Sequence, residues 1–305
     1  MKLQSENPLP ATDGSLKEQT VQNLSTTTAA SEAIAEKLRP LSARAVQIDA
    51  HLPYWARRSN PIVRRHLGAA WKTFPPNINL LVRLYVLQAI VIFASLLVPG
   101  LLTLLMPTVT VSVVLLPMGV VMYVQILMVV GSAAATFVVD ERRNETLSLT
   151  LVIPQPILHI LYAKMAAAVW RHIENLMLMS LAVVLFSMPL LIIQYDVQFR
   201  LESSPLLIRV GMLGGLAVSI LRLWIEPVMV AALGAMYGAG SRSRMQAITA
   251  TLLTSGAYFL AINLARLLPL DSVPRFVIET ILPLVLPVII TAAALRYSIY
   301  LLTED

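Results

Sequence analysis

The sequence predicts an all-α, polytopic membrane protein: six transmembrane helices preceded by a cytoplasmic amphipathic helix lying in the membrane interface. Three observations carry that expectation. Of 305 residues, 57% are hydrophobic and 13% charged, with a mean hydropathy of +0.74; soluble domains run to about 45–50% apolar and about 25% charged. The apolar excess is uneven, because residues 1–75 are polar and the rest of the chain is not. From Leu84 to Val139 no residue is charged, a stretch longer than two crossings of about 20 residues each.

Taken in chain order, residues 1–59 form a polar region whose first 30 residues, rich in Ser, Thr, Gln and Asn, read as a disordered tail. No apolar run there resembles a signal-peptide core, so the N-terminus is expected to stay cytoplasmic. Residues 60–76 read as one helix. Asn60 is a capping residue and Pro61 suits the first helical position. Val63, Leu67, Ala70, Trp71 and Phe74 would share one face, with Arg65 and Lys72 opposite. Together with Arg64, these residues suit an interfacial helix that turns its apolar side to lipid and its cations to headgroups.

Residues 77–305 hold the crossings. The first two are expected at about 80–105 and 111–139, broken at Met106-Pro107-Thr108, where proline cannot continue the ladder. The third covers Asn175–Tyr195 and starts near Ile157. The fourth lies within Leu206–Tyr237, interrupted by Arg222 and Glu226. The fifth is Met245–Ala265. The sixth is about Phe276–Leu302 and contains Glu279, Pro283 and Pro287. Arg57, Arg58, Arg64, Arg65, Lys72, Arg83, Arg142, Arg143, Lys164, Arg171, Arg242, Arg244 and Arg296 then fall on one side, against Arg200, Arg209, Arg266 and Arg275 on the other. The positive-inside rule places both termini in the cytoplasm of a plasma (inner) membrane protein.

The connection after the second crossing is the informative one. Asp140-Glu141-Arg142-Arg143 is followed by Glu145, Thr146, Leu147 and Leu149, then Pro154 and Pro156, and Lys164 sits two turns into the next helix. Glu141 and Glu145 are four apart and share a helical face. This run resembles the membrane subunits of type-2 ATP-binding-cassette (ABC) exporters, in which a segment E-x-x-x-[G/E]-T-L-x-x-L-x-x-x-P joins crossings two and three before a helix that carries a lysine. Glu141, Glu145, Thr146, Leu147, Pro154 and Lys164 occupy those places, with Arg142 and Arg143 inside the segment; Leu149 falls one position before the second leucine of the pattern, where Thr150 stands. The helix begun by Asn60-Pro61 is similar to the family's connecting helix, and Ala232–Ala247 to its small-residue exit from helix four. Glu145 stands where glycine is common, and Ile153-Pro154 replaces Thr-Pro.

The resemblance implies a permease subunit that forms a translocation path. Its partners would be a separate ABC ATPase subunit, seated on the Glu141–Pro156 loop, and a second permease copy. From the loop residues alone, a solvated charged turn serves as well, and a non-transporting membrane scaffold remains the alternative.

Other chemistry is sparse. Arg222 and Glu226 are four apart within a crossing, either a self-satisfying pair or part of a transport path. The glycines at 211, 214, 215, 234, 238 and 240 suit close helix approach. His51, His66, His159 and His172 form no metal motif, and no phosphate-binding G-x-x-x-x-G-K-[ST] loop occurs, so neither cofactor nor enzymatic activity is expected. The absence of cysteine removes disulfides and thiolate metal sites. The arginines near Trp71 adjoin a membrane helix, which favours anionic lipid over nucleic acid as their partner.

Overall fold

The computed structural model describes residues 49–68, 77–104, 107, 109–144, 155–199, 205–268, 274 and 277–304. The chain divides into a unit ending at His51 and a larger one, Leu52–Asp305, which contains the helical bundle. Among the described residues there is helix and no strand.

A single 3-10 turn, Tyr54–Ala56, leads to α1, Pro61–Leu67. The Asn60 side chain accepts from the Ile62 amide at 2.9 Å, and Pro61 supplies the ready-made φ of the first helical position. α1 stops at Gly68, whose φ of 54° lies in the left-handed region that glycine tolerates at low cost. It is therefore shorter than the helix expected over 60–76. Its apolar side is also not open to lipid: Ile62, Val63 and Leu67 are buried against Ile160, Ala163, Ala167, Trp170 and Ile173. Burying a side chain such as Val63 or Leu67 contributes about 1.5–3 kcal/mol, enough to hold so short a helix in place. Arg64 and Arg65 face outward, and Trp71 and Lys72 lie outside the described residues.

The first expected crossing is shorter than 80–105. α2 is Ile78–Ala94, capped by Asn77, and gives way to a 3-10 turn at Pro99–Leu104. Pro99 has no amide hydrogen and disfavours a helical conformation at Val98, so the α-helix cannot run on. α3 is Val109–Arg143, longer than expected because it runs on through Asp140–Arg143.

Beyond the connection, α4 (Ile157–Trp170) and α5 (Ile173–Phe186) are bent by 63° at Arg171-His172. α6 (Met188–Phe199) then leads to α7, Pro205–Gly240, which runs unbroken through Arg222, Glu226 and Pro227. α8, Arg244–Arg266, is capped by Ser243. A π-helical turn, Val277–Ile281, opens into α9, Leu282–Glu304.

Among the described residues, four stretches are long and apolar enough to cross a membrane: α3, α7, α8, and α9 with its π turn. The bent α4–α5 pair makes a fifth if counted as one span, and α2 has only 17 residues. At about 1.5 Å per residue α2 reaches roughly 25 Å, short of a hydrocarbon core of about 30 Å. These are the features of a multi-pass membrane protein.

α7 is the centre of the bundle. Its most apolar window is 61% buried, against 17% for those of α3 and α9. The α3–α7 crossing is close because both faces are small. A Cβ added at Gly234 would stand 2.5 Å from the Gly131 carbonyl oxygen, and one at Gly238 would stand 2.7 Å from that of Ala135. In lipid, where no hydrophobic force draws helices together, such backbone approach is what packs them.

Candidate functional site

The last turn of α3 is where the sequence places its strongest signal, and here the structure gathers five elements. Glu141 is 5% exposed and Lys164, on α4, 1%. Lys164 Nζ donates to Glu141 Oε2 at 2.6 Å. His66 Nε2, on α1, stands 3.3 Å from Glu141 Oε1, an electrostatic contact rather than an aligned hydrogen bond. Asp140 and Arg142, on either side, turn elsewhere: Asp140 pairs with Arg244 at the start of α8, and Arg142 Nη1 donates to the Ala239 carbonyl at the end of α7, at 2.6 Å. That carbonyl is among the last of α7, which lack intrahelical partners and carry the negative end of the helix dipole, so a guanidinium suits it.

The segment before α1 is fixed to the same place. Trp170 Nε1 donates to the Ala56 carbonyl at 2.9 Å, and the Arg58 guanidinium lies 4.9 Å over the Trp170 ring. Arg171 donates to the His66 carbonyl and stacks on Phe137, which also stacks on His66. Arg171 is thus held on α1 at the bend between α4 and α5.

Of the residues named from sequence for this site, Glu141 and Lys164 meet, Arg142 reaches α7 instead, and Arg143 is exposed. Glu145, Thr146, Leu147, Leu149 and Pro154 lie outside the described residues. Glu141 and Lys164 are both buried, at the two ends of the connection. Sequence reasoning passed over His66, Asp140 and Arg244 as members of the site. Asp140 and Arg244 had a signal, since each is a charge at a helix end; His66 is joined to Glu141 only by the tertiary fold.

A second polar cluster lies inside the bundle. Glu226 is 1% exposed, about 20 Å along α7 from Gly240. Its Oε1 accepts from Arg222 Nε at 2.7 Å and from the Tyr258 hydroxyl at 3.2 Å, and stands 2.7 Å from Arg222 Nη2 in an ion pair; its Oε2 accepts from the Tyr123 hydroxyl at 2.7 Å. A carboxylate at this depth is tolerable only when paired and hydrogen-bonded, and all four contacts are supplied by α3, α7 and α8. The expected Arg222–Glu226 pairing is therefore present. The two tyrosines that complete it were not identified from sequence.

The Tyr123 ring also helps line an almost wholly apolar groove of about 380 Å³, with Leu115, Leu116, Met122, Phe186 and Leu223. Near the far end of α7, Arg209 is 4% exposed and donates from Nε to Ser95 Oγ at 3.1 Å, from Nη2 to the Ser95 carbonyl at 3.2 Å, and from Nη1 to the Pro205 carbonyl at 2.9 Å. This arginine ties the end of α2 to the start of α7. Among the described residues no group of His, Cys, Asp or Glu could hold a metal ion.

No family model, no curated protein and no solved structure matches this chain.

Proposed function

We propose that this chain is the membrane-spanning permease subunit of an ABC exporter. In this reading it forms a translocation path and is driven through the α3–α4 connection by a separate ATPase subunit. The observation that carries the reading is the root of that connection. The residues that resemble the exporter motif at its two ends, Glu141 and Lys164, meet as a buried ion pair rather than standing apart as solvated charges. A short connection held at both ends is a means of passing rigid-body movement into two helices at once. The cation-rich ends of α1, α3, α4 and α8 meet here, which suits the cytoplasmic face.

On this reading α2 with its following 3-10 turn is the first of six spans, and α4, α5 and α6 together supply the third. Both termini lie in the cytoplasm, and a second permease copy completes the path. Ionised phosphate headgroups of membrane lipid are the counterparts of Arg64 and Arg65.

The test is purification of the tagged full-length protein from its native membrane in mild detergent. An ABC ATPase should co-purify in stoichiometric amount, and charge reversal at exposed Arg143 should weaken its retention. Because the chain has no cysteine, single cysteines at Asn144 and Arg296 should react with membrane-impermeant maleimide only from the cytoplasmic side. Absence of any ATPase, or labelling of Asn144 from outside, rejects the permease reading.

A further inference from the structure

One turn at the end of α3 reaches four other helices. Successive residues of a helix point about 100° apart, and here Asp140 goes to α8, Glu141 to α4 and α1, and Arg142 to α7. Glu141 lies just before the 144–156 connection, and Lys164 lies two turns into the helix that follows it, so their bond closes the connection at its base. A buried ion pair adds little net stability over a well-packed apolar pair, yet breaking it by removing one partner is costly. What such a pair supplies that methyl groups do not is direction, since its bond has one geometry.

We propose that Glu141 and Lys164 are a positioning pair, a latch that fixes the two roots of the connection to each other. With Asp140 and Arg142 it makes the last turn of α3 the point from which a push on the connection reaches α1, α4, α7 and α8 together. The source of the push rests on the permease reading; the latch is a property of this chain alone.

The absence of cysteine allows spin labels at two introduced sites, exposed Asn144→Cys and half-exposed Gln155→Cys, which bracket the connection. In the full-length protein in lipid nanodiscs, double electron–electron resonance should give one narrow distance distribution. The double variant Glu141→Gln/Lys164→Met removes both charges and leaves neither unpaired; it should elute as a single species and broaden the distribution at least two-fold. Lys164→Arg, which keeps a cation in place, should restore the narrow width, a rescue that mere space-filling would not produce. In complex with the ATPase, the neutral pair should bind it normally and lower stimulated ATP hydrolysis at least five-fold. A neutral pair that keeps the wild-type width overturns the latch, whether or not an ATPase binds. Failure of any ATPase to co-purify overturns the permease reading and leaves the distance result standing.

Discussion

Replacing Gly234 by alanine adds one methyl group where the structure has no room for it. The new Cβ would stand 2.5 Å from the Gly131 carbonyl oxygen, 3.0 Å from the Ala135 amide nitrogen and 3.1 Å from the Ala134 Cβ. Two of these are backbone atoms of α3, which cannot swing aside as a flexible side chain could. Relief therefore requires α3 and α7 to separate by somewhat less than 1 Å. A radial gap of about 0.5–1 Å forfeits a quarter to a half of each dispersion well of about 0.1–0.2 kcal/mol along the crossing. Over the few tens of atom pairs that meet there, the loss is about 1–3 kcal/mol, the usual range for overpacking. At roughly 2–4 °C per kcal/mol, the melting temperature should fall by about 2–12 °C. The assay is thermal unfolding in detergent followed by size-exclusion fluorescence. Gly256→Ala is the control, because its Cβ meets nothing within 4 Å; it should hold or raise the melting temperature, as glycine is about 0.5–1 kcal/mol worse than alanine in a helix. If Gly234→Ala melts no lower than Gly256→Ala, the close α3–α7 crossing is wrong.

The intramembrane cluster makes its own demands. Glu226→Gln leaves the Arg222 guanidinium without its carboxylate and should cost about 3–5 kcal/mol, whereas Arg222→Met/Glu226→Leu should recover most of that loss in the same melting assay. Tyr123→Phe removes one hydrogen bond to a charged acceptor and should cost about 1.5–3 kcal/mol; an unchanged melting temperature would show that the phenol does not hold Glu226. Arg209→Lys cannot span the Ser95 hydroxyl, the Ser95 carbonyl and the Pro205 carbonyl together, and should lower the melting temperature although the charge is kept. Trp170→Phe deletes the donor to the Ala56 carbonyl and weakens the stacking of Arg58. Trypsin should then cleave at Arg57 and Arg58 several-fold faster, read by the appearance of the shortened chain on a gel.

Local chemistry made several features legible in advance. Asn60-Pro61 starts a helix because one side chain caps it and the other presets its first dihedral, and the start falls there. Arg222 and Glu226 pair because four residues make about one helical turn, whatever surrounds them. The start of α4 near Ile157 follows from Pro154 and Pro156. Pro99-Gly100 carried an equally local signal that was passed over, and α2 ends earlier than expected as a result.

Other features depend on partners far away in the chain. Nothing near Glu141 announces His66, 75 positions earlier, and nothing near Glu226 announces Tyr123 or Tyr258. The apolar stripe of α1 is the same whether lipid or protein covers it; that α4 covers it is a fact of packing. Hydrophobic content and proline placement, being properties of single segments, thus determined that the chain is a set of apolar helices. Which charges lie buried together, and how closely α3 meets α7, was decided only when helices distant in sequence came within a few ångströms, because electrostatic pairing and steric fit act across space and leave no period along the chain.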